Sequence, residues 1–345
     1  MARSGMMRWK VQDLPRLADP LRAGLWSGRP CRRADRAYNA QALSTDAKVK
    51  QHLGKMRTAS SLLRNVVILE PQSVDAHLDL AIALAESYDL QAALEETDRA
   101  VGLAPDSAVA HFNRGRVLFY LGRSEEPRRD FETACRLAPQ MTESRYFLAL
   151  AERQAGDYPQ AIASLQEVVS LQPKNGMAWN LLGDALAHQA RQKEAIAAWR
   201  HAVSIDPEDT RSLASLVVAL RPSDPAEAAR FEAQLTAVEK ARHISGRAQA
   251  LASEAIVSMR ADDWPDATRY LQQAIQICPD CAIKAELHKS LGLMQCDLGD
   301  LDHGEAELRI ARTLKRGDPQ IDRALALIAQ VRADHSSSGS SASSP

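Results

Sequence analysis

Residues 176–209 read GMAWNLLGDALAHQARQKEAIAAWRHAVSIDPED, a segment of helix, short turn and helix that ends at Pro207. Working outward, Pro71, Pro105, Pro139, Pro173 and Pro207 stand at intervals of 34 residues. Each follows an amphipathic apolar segment: RNVVILEP, DRAVGLAP, ETACRLAP, QEVVSLQP and RHAVSIDP. Twelve places before the prolines come Ala59, Ala93, Pro127, Ala161 and Ala195, and 24 before the last four come Ala81, Gly115, Ala149 and Gly183. Small residues recurring in phase mark places where two helices approach too closely for a larger side chain. The proline ends the second helix, because it removes an amide donor and restricts the residue before it. Two places on, Ser73, Ser107, Asn175 and Asp209 suit the N-cap of the next helix. Met141 breaks that pattern, with Thr142 beside it as a substitute. Gly122 and Gly156, in YLGRSEE and QAGDYPQ, fit a left-handed C-terminal cap between the two helices.

The chain resembles the tetratricopeptide repeat family. The repeat at 176–209 carries Trp179, Leu182, Gly183, Leu186, Ala195, Trp199, Ala202 and Pro207 at the family's signature spacing. The resemblance implies an all-α, right-handed superhelical solenoid of stacked 34-residue helix-turn-helix repeats. It covers 40–209 as five repeats, the first partial. Residues 210–247 diverge, since Pro222 and Pro225 shorten the first helix and the segment is four residues too long, so they are expected to form a divergent unit or a hinge. The register returns over 248–318 with Ala255, Ala267, Leu271, Ala274 and Pro279, then Leu291, Gly292, Gly299, Leu308 and Ala311. A capping helix is expected over 319–333 and a disordered Ser-rich tail over 334–345.

Composition narrows the function. The 345 residues include 43 Lys and Arg against 44 Asp and Glu, so no overall field points to nucleic acid. No run approaches the roughly 18 apolar residues that a membrane helix needs. Residues 1–39 differ: nine basic residues stand against Asp13, Asp19 and Asp35, with Pro15, Pro20 and Pro30 between them. They read as a basic, disordered N-terminal arm, as translated sequence upstream of the true start, or as an arm for acidic surfaces. Five cysteines are few and odd in number, which suits a reduced, cytoplasmic compartment. Export stays open if the true start lies elsewhere.

Cys278-Pro-Asp-Cys281 is the one motif that looks chemical, as a redox couple or half a zinc site. His288 and Cys296 lie eight residues apart on one expected helix, about 12 Å along its axis. One ion cannot take both, so a local disulfide or plain structural cysteines is the reading. There is no Gly-x-Ser-x-Gly elbow, no phosphate-cradling loop and no His-Glu-x-x-His. No catalytic residue, metal site or cofactor is expected. His77, His111 and His288 take the repeat position of Trp179, as packing or surface residues.

The resemblance places the second, fifth, ninth and twelfth residues of each repeat on an inner groove. These are Val109, Phe112, Arg116 and Phe119; then Glu143, Tyr146, Leu150 and Arg153; then Met177, Asn180, Asp184 and Ala187. The expected peptide-binding residues are Phe112, Arg116, Phe119, Tyr146, Leu150, Arg153, Met177, Asn180 and Asp184. Phe112, Phe119, Tyr146 and Phe147 also suit a core between adjacent repeats, because apolar helical stripes are usually buried. Glu143 and Phe147 stand where a carboxylate clamp wants cations, so capture of a partner's C-terminal carboxylate is disfavoured. The implied function is a non-catalytic scaffold for protein or peptide partners. A substrate-recruiting subunit of a separate enzyme, or a thiol or metal sensor at Cys278 and Cys281, are the alternatives.

Overall fold

A computed structural model describes residues 33–123 and 125–339. Among them are sixteen helices and no strand. Helix α1 (Arg33–His52) pairs with α2 (Met56–Leu69), α3 (Val74–Glu86) with α4 (Leu90–Leu103), α5 (Ala108–Tyr120) with α6 (Glu125–Leu137), and α7 (Thr142–Gln154) with α8 (Tyr158–Leu171). Then come α9 (Gly176–His188) with α10 (Gln192–Ile205), and α11 (Thr210–Leu220) with α12 (Pro225–Arg260). The chain ends with α13 (Trp264–Ile277), α14 (Lys284–Asp297), α15 (Leu301–Leu314) and α16 (Pro319–Gly339). It divides into two compact units between Gln172 and Pro173. Each unit is a stack of antiparallel helix hairpins, the all-α solenoid class.

The periodic small residues are the contact points of the hairpins. Ala59, Ala93, Ala161 and Ala195 are fully buried, and Ala81 and Ala149 nearly so. A Cβ on Gly183 would sit 2.5 Å from the Trp199 indole. The caps follow the sequence: Ser73, Ser107 and Asn175 accept from the backbone N–H three residues on, and Asp209 from that of Arg211. Thr142 does not substitute for Met141. It is already the first residue of α7, and its hydroxyl accepts instead from the Gln172 amide. The turn inside each hairpin places a left-handed residue at a fixed register: Tyr88, Gly122, Gly156 and Ala190 have φ of 63°, 75°, 80° and 55°.

Three boundaries differ from the sequence reading. Helix α1 begins at Arg33, inside the expected basic arm, because the Ala-rich stretch after Pro30 has no breaker. Residues 1–32 of that arm lie outside the described residues. Helix α16 runs to Gly339 rather than 333, since no proline or glycine interrupts it earlier; residues 340–345 of the tail lie outside the described residues. In the divergent segment α11 has 11 residues, and α12 has 36. No proline stands between Pro225 and Pro265, so the second helix of one repeat continues as the first helix of the next. Only Ala228, Ala248 and Ala255 of α12 are buried.

Candidate partner-binding site

In the first unit the first helices of successive hairpins touch: α3 meets α5, and α5 meets α7. Their shared region is aromatic. Phe131, on α6, is fully buried and fills the space that Gly115 leaves on α5, where a Cβ would come within 2.7 Å of the ring. Around it lie Phe112 at 6.2 Å and Phe147 at 5.7 Å between ring centroids. Phe147 makes edge contacts with Phe112 at 5.5 Å, Phe119 at 6.2 Å and Tyr146 at 5.9 Å. Tyr120 adds to Phe119 at 5.9 Å. Four of the chain's five phenylalanines therefore meet in one pair of repeats. Tilted and edge-on pairs at these distances add roughly 0.5–1.5 kcal/mol each beyond area burial.

This arrangement sorts the expected groove residues. Phe112 is only 8% exposed and belongs chiefly to the core. Phe119, Tyr146, Leu150 and Arg153 are half-buried, while Val109, Glu143 and Tyr120 are exposed. Arg116 is half-buried, with its guanidinium carbon 5.6 Å from the ring centroids of both Phe112 and Phe147. The second unit treats its three residues differently from one another. Met177 is 70% exposed. Asn180 is buried, with its amide donating to the Ser212 hydroxyl at 2.7 Å. Asp184 accepts from the Trp199 indole at 3.0 Å.

A recurring set of polar pins escaped the sequence reading. Nδ1 of His77 lies 2.6 Å from Glu96, that of His111 2.9 Å from Asp130, and that of His288 2.5 Å from Glu307, each pair 19 residues apart. Nε2 of His77 and His111 donates to the carbonyls of Pro71 and Pro105. At the same register Arg145 donates to the Pro139 carbonyl and Trp179 to that of Pro173. In each of these four repeats one side-chain N–H thus satisfies the proline carbonyl of the turn between hairpins. Asp130 also takes a two-pronged ion pair from Arg114, and this hydrogen bond raises the guanidinium's pKa further. The signal was present as His at the fourth place and a carboxylate 19 on, but it means little until the hairpin is known.

Cys278 and Cys281 form a disulfide, with Cα atoms 5.3 Å apart. Among the described residues no three His, Cys, Asp or Glu side chains gather to hold a metal ion. Burial pushes the thiols of Cys135 and Cys296 up, away from the reactive thiolate. Burial also raises the Glu152 carboxyl, which accepts from the Ser164 hydroxyl at 2.9 Å. Among the described residues no helix is long and apolar enough to cross a membrane.

Repeated helix hairpins with this register are tetratricopeptide repeats. Residues 47–108, 112–169 and 146–210 match the family's tetratricopeptide repeat pattern. No curated protein matches the chain significantly. Among solved structures it is similar to PilW, a type IV pilus biogenesis factor, at 21% identity and TM-score 0.53, covering 57% of this chain and 92% of that one. It is also similar to pilF of Pseudomonas aeruginosa at 21% identity and TM-score 0.48, covering 58% and 99%. A third is YrrB, described as a repeat protein with an unusual peptide-binding site, at 20% identity and TM-score 0.45, covering 51% and 91%. At these identities the likeness concerns the fold.

Proposed function

We propose that the chain is a non-catalytic scaffold that holds a peptide or helical segment of a protein partner on the first-helix face of its first unit. One observation carries the reading: the aromatic cluster is not sealed. Tyr120 is 54% exposed, and Phe119, Tyr146 and Phe147 keep part of their surface in water beside the arginine Arg116. Aromatic residues and arginine are the usual carriers of interface energy. Leu150 and Arg153 extend the surface along α7. Met177, Asn180 and Asp184 belong to the second unit, and of these Met177 is the exposed candidate. The same proposal keeps 40–209 as the repeat block and 210–247 as a divergent unit, whose second helix runs unbroken into the next repeat.

Affinity capture with the full chain tests the reading against the double variant Phe119→Ala, Tyr146→Ala, after both are shown equally helical and monodisperse. Partners lost from the variant support the face as a binding surface. Equal retention moves the site elsewhere and overturns the proposal. Phe112 is left out of the pair because it is core.

The Cys278–Cys281 bond favours a thiol sensor as the second reading. It also bears on the compartment, since a cytoplasmic location makes the pair a dithiol at rest and an oxidising one makes it the disulfide. The bond closes a short loop between α13 and α14, where Ile283 gives α14 no side-chain cap. Loop-closure entropy then assigns it about 2 kcal/mol. Dithiothreitol is therefore expected to lower the urea midpoint of the wild type and leave Cys278→Ser, Cys281→Ser unmoved. An unchanged wild-type midpoint removes the sensor reading. Alkylation trapping in intact cells, followed by a mass shift, reports which form the compartment maintains.

A further inference from the structure

We infer that Arg116 is the charge-recognition point of this face, and that the partner segment presents an internal Asp or Glu side chain beside an apolar or aromatic residue. The inference rests on the scaffold reading above and deepens it.

Among the described residues Arg116 holds no carboxylate, and its Nε–H is buried with no hydrogen-bond partner. Its neighbours differ. Arg114 is paired with Asp130, Arg128 with Glu132 and Asp157, and Arg145 with Glu167. Glu143, the carboxylate expected on the same face, is exposed and makes no ion pair with Arg116. Being buried, that N–H lies out of a partner's reach, so recognition falls to the terminal amino groups of the half-buried guanidinium. The ring faces of Phe112 and Phe147 hold the guanidinium in place without consuming its donors. An arginine held this way is an ordered fork, whose natural complement is a carboxylate accepting two parallel N–H groups.

The half-buried Phe119, Tyr146 and Phe147 beside it supply apolar contact for the residue next to that carboxylate. An internal side chain is favoured over a chain terminus. A terminal carboxylate is commonly gripped by several donors, and the adjacent Asn113 is buried with its amide donating to the Val109 carbonyl at 2.9 Å.

The test is selection of a random displayed peptide library on the full chain, on Arg116→Gln and on the Phe119→Ala, Tyr146→Ala variant, all three first matched for helicity. The wild type is expected to enrich peptides with Asp or Glu beside an apolar residue. Synthetic copies of these should bind Arg116→Gln roughly tenfold more weakly. Replacing the peptide's acid by its amide should weaken wild-type binding by the same factor and Arg116→Gln binding hardly at all. Arg116→Lys should restore only part of the affinity, since an ammonium cannot form the fork. Peptides that need Phe119 and Tyr146 yet show no acidic preference, or bind Arg116→Gln unchanged, overturn this inference and leave the scaffold reading intact. Recovery of no peptide sensitive to Phe119 and Tyr146 overturns both.

Discussion

Gly292→Ala is expected to destabilise the α14–α15 hairpin by about 2 kcal/mol net. A Cβ at 292 would lie 2.8 Å from Leu308 Cγ, 2.9 Å from the Gly304 carbonyl oxygen and 3.0 Å from the Leu308 backbone nitrogen. Two of these three atoms are backbone, which cannot swing aside as a side-chain rotamer does. Opposite it, a Cβ on Gly304 would meet the Gly292 oxygen at 2.9 Å, so the two glycines form one crossing point. The helices must separate, and the buried Leu291, Leu308 and Ala311 lose packing with them. Alanine's better helix propensity returns at most about 1 kcal/mol, less than overpacking costs here. Gly102→Ala is the control, because nothing lies within 4 Å of its Cβ position. Urea denaturation and amide exchange in α14 and α15 read the effect. An unchanged or higher midpoint for Gly292→Ala would refute the argument.

The same crossing points explain what was legible in the sequence. A glycine or alanine every 34 residues and a proline at each repeat's end are local necessities of a helix hairpin, so they recur in register and can be counted. The fusion into α12 was not legible in that way. It depends on the lack of a breaker between Pro225 and Pro265, and an absent residue carries no periodic mark. The candidate site was legible as a stripe and not as a surface. Phe112 and Phe119 share one helical face, yet Phe112 lies against Phe131 and Phe147 while Phe119 stays half-buried at the edge. Spacing along one helix says nothing about how deep each residue sits between two others. Asn180 makes the same point. Its place in the repeat suits a groove, and only the position of Ser212 on α11 shows that its amide is occupied.

Phe131→Ala is expected to cost about 3–5 kcal/mol, the largest effect of any substitution proposed for this chain. The ring is fully buried on α6 and takes no part in the proposed binding surface. Its work is indirect: it fills the gap opened by Gly115 and abuts Phe112 and Phe147, the two rings that carry Arg116. Removing it leaves a cavity behind those rings, and they can then tilt inward and release the guanidinium. The variant should therefore lose affinity for acidic peptides at temperatures where it is still folded, although no contact with the peptide has been removed. Phe131→Leu keeps much of the volume and should retain most of the stability and the binding. A loss below about 1 kcal/mol for Phe131→Ala would mean that the cluster repacks freely. Arg116 would then have no fixed bed, and an arginine without one is a mobile surface charge whose pairing with a partner carboxylate adds little.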